Sequence, residues 1–191
     1  MAISNAYKNQ IQNRNFLSPV GFKFVVNRAR KVSFFGNSMN IPGLTLGIAN
    51  QSTYLKDIPL PGEKIEFSDL NLRFLVDENL ENYMEIQRWI RGIGFPESLN
   101  EIYNFQEDNP AMDAQFKDQM NLYSDATLFI LTSNNTANFQ VKFSNIFPYT
   151  LTDLQFDATD SDIEYLTAEV GFKYTIYDIV DNSGNPLHYD S

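Results

Sequence analysis

The side chains in this sequence that could do acid–base or metal chemistry are mostly carboxylates, and the densest group is Asp157, Asp160, Asp162 and Glu164. A calcium loop needs oxygen ligands in D-x-D-x-D-G order, closed by a distal glutamate. That order is missing, so the cluster reads as a turn that solvates itself. Paired carboxylates can also hydrolyse a glycosidic bond, and Glu66 with Asp69 or Glu81 with Glu85 would supply such pairs. With 24 Asp and Glu residues in the chain, pairs arise without function, and no enzymatic role is expected. There is no cysteine, and the single histidine, His188, reads as a solvated tail residue. Disulfides, thiolate nucleophiles and cysteine metal sites are excluded, and histidine-based zinc sites or triads lack their ligands. Gly92-Ile93-Gly94 follows a helical run instead of opening one, so it makes no phosphate loop. Neither a metal nor a cofactor is expected.

Charge is more informative than any of these clusters. The net value is -10, yet residues 1–56 hold seven basic side chains (Lys8, Arg14, Lys23, Arg28, Arg30, Lys31, Lys56) and no acidic one. Residues 57–156 carry a net -10 and residues 157–191 a net -7. This polarity invites head-to-tail contact between copies, the basic third of one meeting an acidic surface of the next. Mixing of both signs on one folded surface is the plainer alternative. Tight nucleic-acid binding is disfavoured, because a strongly negative chain repels phosphates.

The elements that must position these charges suit one packed domain: 191 residues, 43% hydrophobic and 14% aromatic, with 16 Phe and 10 Tyr. No run approaches the 18 apolar residues of a membrane span. The segment MAISNAYKNQIQNRNF lacks the apolar core of a secretion signal, so cytosolic synthesis and assembly are expected. Residues 1–20, rich in Asn and Gln, read as an extended arm. Residues 21–27 and 31–35 read as two short strands in a hairpin, which crowds Arg28, Arg30 and Lys31 at one end. The stretch 40–56 reads as a loop or hairpin projecting from the core, since Pro42, Gly43 and Gly47 interrupt pairing.

Residues 57–96 form the most legible stretch. Pro59, Pro61 and Gly62 predict a turn, and 65–76 a strand. Ile65 and Phe67 fall on odd positions, whereas Leu70, Leu72, Phe74 and Val76 fall on even ones, so a bulge or break is predicted at Ser68-Asp69. Residues 77–94 predict a helix capped by Asp77 or Asn79, with Leu80, Tyr83, Met84, Ile86, Ile90 and Ile93 on its packing face. Trp89 lies off the centre of that stripe, either anchoring a partner or packing at the core's edge. Residues 95–124 read as an inserted, intersubunit loop with a short helix over 113–122. Beyond it come a buried strand over 126–132, a turn at SNNTAN, and an alternating strand over 139–143 closed by 145–149. A long strand follows over 166–176, with Leu166, Ala168, Val170, Phe172, Tyr174 and Ile176 on its core side. Residues 182–186 end the structured region.

The order of these elements resembles the tail tube proteins of contractile-tailed bacteriophages. The segments that carry the resemblance are NIPGLTLG with the extended run to Lys56, IPLPGEKIEFSDLNLRFLVDENLENYMEIQRWIRGIG, and FQVKFSNIFPYTLTDLQFDATDSDIEYLTAEVGFKYTIYDI. In that family a strand reaching an acidic corner, here Val76-Asp77-Glu78-Asn79, leads into a lone helix. The resemblance covers about residues 21–179. It implies a mainly β (α+β) subunit, a β-sandwich or barrel-like tail-tube fold with one flanking helix and extended loops. This fold would span 21–180 with the insertion at 95–124, and residues 181–191 would be a tail.

It further implies a structural virion protein whose six copies close a ring and whose rings stack into a tube that passes DNA. Its partners would be other copies of itself, sheath and baseplate proteins, and DNA in transient passage, with no membrane anchor. Arg28, Arg30, Lys31, Leu44, Leu46, Tyr54 and Lys56 are the stacking candidates under that reading. Glu169, Lys173 and Thr175 are the lumen candidates, and Leu80, Tyr83, Met84 and Ile90 would pack the helix. Two alternatives are a tube-like baseplate initiator or terminator that forms one ring, and a carbohydrate-binding β-sandwich using Trp89, Tyr103 and Tyr123 as exposed aromatics.

Overall fold

The computed structural model describes residues 17, 19, 21–29, 31–34, 36–94, 96, 97, 122–132, 136–156 and 165–187. Arg30, Tyr103, all but the last residue of the helix expected over 113–122, the 157–164 carboxylates and His188 lie outside them. Strand β1 (Phe22–Val26), a 3-10 turn (Val32–Phe34) and β2 (Gly36–Met39) come first. A long hairpin follows, β3 (Leu44–Gln51) and β4 (Ile58–Phe67), and then β5 (Leu70–Leu75) runs into helix α1 (Glu81–Gly94). The last strands are β6 (Ser124–Leu131), β7 (Ala137–Leu151), β8 (Thr167–Lys173) and β9 (Ile176–Asp181). Among the described residues the fold is mainly β with one flanking α-helix, as expected.

Seven strands join in the antiparallel path β1-β6-β7-β8-β5-β2, with β9 also on β7, while β3 and β4 make a separate two-stranded sheet. Strand β7 serves both halves of the body. Its first part pairs with β6 and β9, and from Phe147 onward it pairs with β8. The change falls at Asn145, whose φ of 55° is left-handed, a conformation Asn tolerates better than branched residues. Residues 145–149 were expected to close a strand; they instead carry β7 on to Leu151.

The two halves close on one apolar core. Phe24 of β1 meets Phe172 of β8 with ring centroids 6.3 Å apart, and Trp89 of α1 lies 6.3 Å from the same ring. The alternation read from the sequence is present: Leu70, Leu72 and Phe74, then Val141 and Phe143, then Ala168, Val170 and Phe172 all point inward.

Helix α1 starts later than expected. Asp77 does cap it, its Oδ1 accepting the Glu81 N–H at 3.0 Å, but Leu80 precedes the helix with φ 59°. Buried Asn82 donates from Nδ2 to the Leu75 carbonyl at 2.8 Å, and its Oδ1 accepts from the N–H groups of Asp77 and Tyr83. These bonds tie the helix start to the end of β5 and choose the inward face, which is Asn82, Ile86, Trp89 and Gly92. Trp89 is therefore core, 1% exposed, with Nε1 donating to the Leu122 carbonyl at 3.0 Å. Met84, expected to pack, is exposed; Tyr83 and Ile90 flank the buried stripe.

Three further expectations are corrected. The second strand of the expected hairpin is absent: Val32–Phe34 form the 3-10 turn, which meets β1 through the Val26 N–H donating to the Ser33 hydroxyl at 3.3 Å, and β1 pairs with β6 instead. Burial of Ala29 and Val32 draws this segment into the core beside α1. Pro59, Pro61 and Gly62 do not turn but lie within β4, Pro59 opposite Asn50 and Pro61 opposite Ile48. Proline is acceptable there because the strand has a free edge, and the reversal occurs instead at 52–57. The strand expected over 166–176 is broken at Tyr174-Thr175, where the Thr175 N–H turns to the Ser144 carbonyl at 3.0 Å.

Candidate functional site

The hairpin β3–β4 carries most of its apolar side chains uncovered by the body. Leu44, Leu46, Ile48 and Ile65 share one of its faces, and Ala49, Ile58 and Leu60 lie on the other. All are exposed, Ile48 to 71%, and Tyr54, Leu55 and Lys56 at the tip are open to solvent. A lone two-stranded hairpin is marginally stable in water, and apolar residues on both its faces call for a covering surface. Gly62 lets the strands approach: a Cβ there would stand 2.6 Å from the Gly47 carbonyl oxygen. At the tip, the Ser52 hydroxyl donates to Asp57 Oδ1 at 2.7 Å.

The predicted break at Ser68-Asp69 is the joint between this hairpin and the body. Strand β4 ends at Phe67 in the separate sheet, and β5 begins at Leu70 in the core sheet. Aromatic side chains surround the joint. Phe67 meets Tyr174 and Tyr177 edge-on at 5.9 and 5.7 Å. The Tyr174 hydroxyl donates to the Ser68 carbonyl at 2.8 Å and the Tyr177 hydroxyl to the Pro42 carbonyl at 3.0 Å. Burial pushes the Tyr174 phenol up to about 12, with help from Tyr177 and Asp69. Asp69 itself accepts from the Tyr149 hydroxyl at 2.6 Å and is ion-paired with Lys173.

A polar sheet face adjoins the joint. Arg73 of β5 donates from Nε and a terminal nitrogen to the Thr167 hydroxyl at 3.3 and 3.0 Å and lies opposite Glu169 in the register. Lumen candidates Glu169 and Lys173 belong to this face. Thr175 does not, because it has left the strand for the corner, where Asn145 Nδ2 donates to its hydroxyl at 3.4 Å. The stacking candidates also divide. Leu44, Leu46, Tyr54 and Lys56 are on the hairpin, whereas Arg28 stands 5.8 Å over the Trp89 ring and Lys31 grips the helix. Lys31 Nζ lies 2.6 Å from Glu81, its N–H donates to Glu85 at 3.1 Å, and the bond to Glu81 raises its pKa. Glu81 and Glu85 thus both hold Lys31, and Glu66 sits out on the hairpin. Buried Trp89 is not available as a sugar platform.

Tyr149, Tyr174 and Tyr177 were missed as joint residues. The only available signal was that the phase break at Ser68-Asp69 needs partners to hold it.

Among the described residues the architecture is thus a two-part β body with one α-helix and an apolar hairpin that the body leaves exposed. The model of the phage tail tube protein family matches residues 2–180. The chain belongs to that family, whose members are structural tube proteins.

Solved structures share the fold. A chain of the anti-feeding prophage tube-terminating cap superposes with a TM-score of 0.56 at 13% identity, covering 93% of this chain and 99% of that one. A chain of the anti-feeding prophage baseplate gives 0.54 at 12%, covering 84% and 91%. A chain of the PVC sheath–tube complex, from an extracellular contractile injection system in its extended state, gives 0.53 at 15%, covering 88% and 93%. No curated protein sequence matches the chain.

Proposed function

We propose that six copies of this chain close a ring and that rings stack head to tail into the inner tube of a contractile tail, a conduit for DNA. The observation that carries this reading is the β3–β4 hairpin, apolar on both faces and uncovered by its own subunit. Leu44, Leu46 and Tyr54 would bury against a neighbour, and Lys56 would meet its acidic surface. Closure into a ring would also cover the free edges of β1 and β2, which otherwise invite uncontrolled pairing. The outward face of β5 and β8 would line the lumen. There Arg73 faces Glu169 and Lys173 is paired with Asp69, so positive charge is neutralised locally and phosphates find little to hold them. Sheath and baseplate proteins are the outer partners, and assembly takes place in the host cytoplasm before the tube enters the virion tail.

A single-ring role, as terminator or baseplate initiator, is the second reading, favoured by the likeness in fold to a tube-terminating cap. Negative-stain microscopy of the purified chain separates the two. Stacked tubes are expected; single rings that never stack would replace the first reading with the second, and small particles would sink both.

A further inference from the structure

We propose that Asp69, Lys173 and Tyr149 form a latch that fixes the angle of the β3–β4 hairpin against the body of the subunit. The hairpin forms a sheet of its own and reaches the body through two short segments, 40–43 and 68–69. Side chains hold both segments. Asn40 donates from Nδ2 to the Asp69 carbonyl at 3.0 Å and accepts the Asn71 N–H at 2.7 Å, while Tyr174 and Tyr177 hold Ser68 and Pro42. Asp69 is the charged member of the joint, with one carboxylate oxygen on Lys173 and the other on Tyr149.

The fold goes to some length to bring Tyr149 there. The β7–β8 register slips between Pro148 and Thr150, which leaves Tyr149 as the bulged residue. Its ring crosses β8 over Gly171, where an added Cβ would lie 2.9 Å from the ring and 2.6 Å from Thr150. Only a bare glycine lets the phenol pass over the strand to Asp69. Lys173 closes the set by standing 5.2 Å from the centre of the same ring. Each latch residue comes from a different strand or joint, so the three lock β7, β8 and the hairpin's attachment together. Their side chains sit at the surface and add little to the core, which leaves positioning as what the arrangement accomplishes.

The consequence for assembly rests on the proposed role of the hairpin; the latch itself does not. The chain has no cysteine, so spin labels can be placed uniquely at Gln51→Cys on the hairpin and Arg88→Cys on the helix. The labelled chain is kept too dilute to assemble, and the distance between labels is read by pulsed electron resonance. One narrow distribution is expected. Asp69→Asn and Lys173→Met should each roughly double its width, since a local restraint is lost while the core stays folded, and Asp69→Glu should keep it narrow. Tyr149→Phe, which retains the ring and removes only the hydroxyl, gives the same broadening and serves if Asp69→Asn fails to fold. Unchanged widths in Lys173→Met and in the Asp69 or Tyr149 variant overturn the latch, whatever the tube yield. A doubled width with undiminished tube yield upholds the latch and instead counts against the hairpin as the assembly element.

Discussion

The body and the hairpin of this subunit are opposite solutions to the same problem of burying apolar surface. In the body, Phe24, Phe74, Phe143, Phe172 and Trp89 are all inside, and the helix is tied down by a buried asparagine, Asn82, that makes three hydrogen bonds. In the hairpin, Leu44, Leu46, Ile48 and Ile65 lie in the open. A body that closes on itself can fold alone, whereas under the proposed function a hairpin whose faces stay apolar would be completed by a neighbour. Stability and assembly should therefore respond to different substitutions.

The largest effect belongs to the body. Trp89→Ala empties the centre of the core and strands the Leu122 carbonyl, and should cost about 3–5 kcal/mol in chemical denaturation. A loss below about 1 kcal/mol would mean that α1 is not part of the cooperative unit. Gly62→Ala comes next. It forces a Cβ into the Gly47 backbone, an overpacking worth about 1–3 kcal/mol, but confined to the hairpin. Amide exchange should accelerate in β3 and β4 and stay unchanged in β5 and β8; acceleration in both regions would erase the distinction.

Arg28→Glu is smaller. It removes a cation from the Trp89 face, for about 0.5–1 kcal/mol, and so alters the fold as well as the surface charge. Unchanged stability would release Arg28 for the intersubunit role read from charge alone.

The smallest effect is that of pH on the joint. Hydrogen bonds from Lys173 and Tyr149 hold the Asp69 carboxyl below its usual 3.8, and the bond to Asp69 raises Lys173 above 10.5. The carboxylate's contribution is complete above 3.8 and fades as pH falls through its lower folded value. That of the ammonium is complete below 10.5 and fades as pH rises through its higher folded value. The hairpin distance distribution should accordingly be flat between pH 3.8 and pH 10.5 and broaden only below the first or above the second.

The same contrast explains what the sequence could reveal. Alternation over Leu70, Leu72 and Phe74 and over Ala168, Val170 and Phe172 was readable because one face of each strand is buried and the period is two. The joint was readable as well, since apolar residues change parity between Phe67 and Leu70. The inward face of α1 was not. Asn82 counts as polar in any hydropathy stripe, and only its bonds to Leu75, Asp77 and Tyr83 turn Trp89 to the centre. Pro59, Pro61 and Gly62 spell a turn locally, yet pairing with Asn50 and Ile48 overrides them. The passage of Tyr149 over Gly171 depends on a one-residue register slip between strands, which no single segment encodes. The charge asymmetry was real, but Lys31 meets its acidic partners within its own subunit.

The central claim, that the hairpin assembles and the body folds, is tested most directly by sedimenting the wild type beside the double variant Leu46→Asp/Ile48→Asp at matched concentration, after equal thermal melts are verified. The wild type should pellet as tubes and the variant should remain a folded, slowly sedimenting species. Tubes formed by the variant in wild-type yield would contradict the claim.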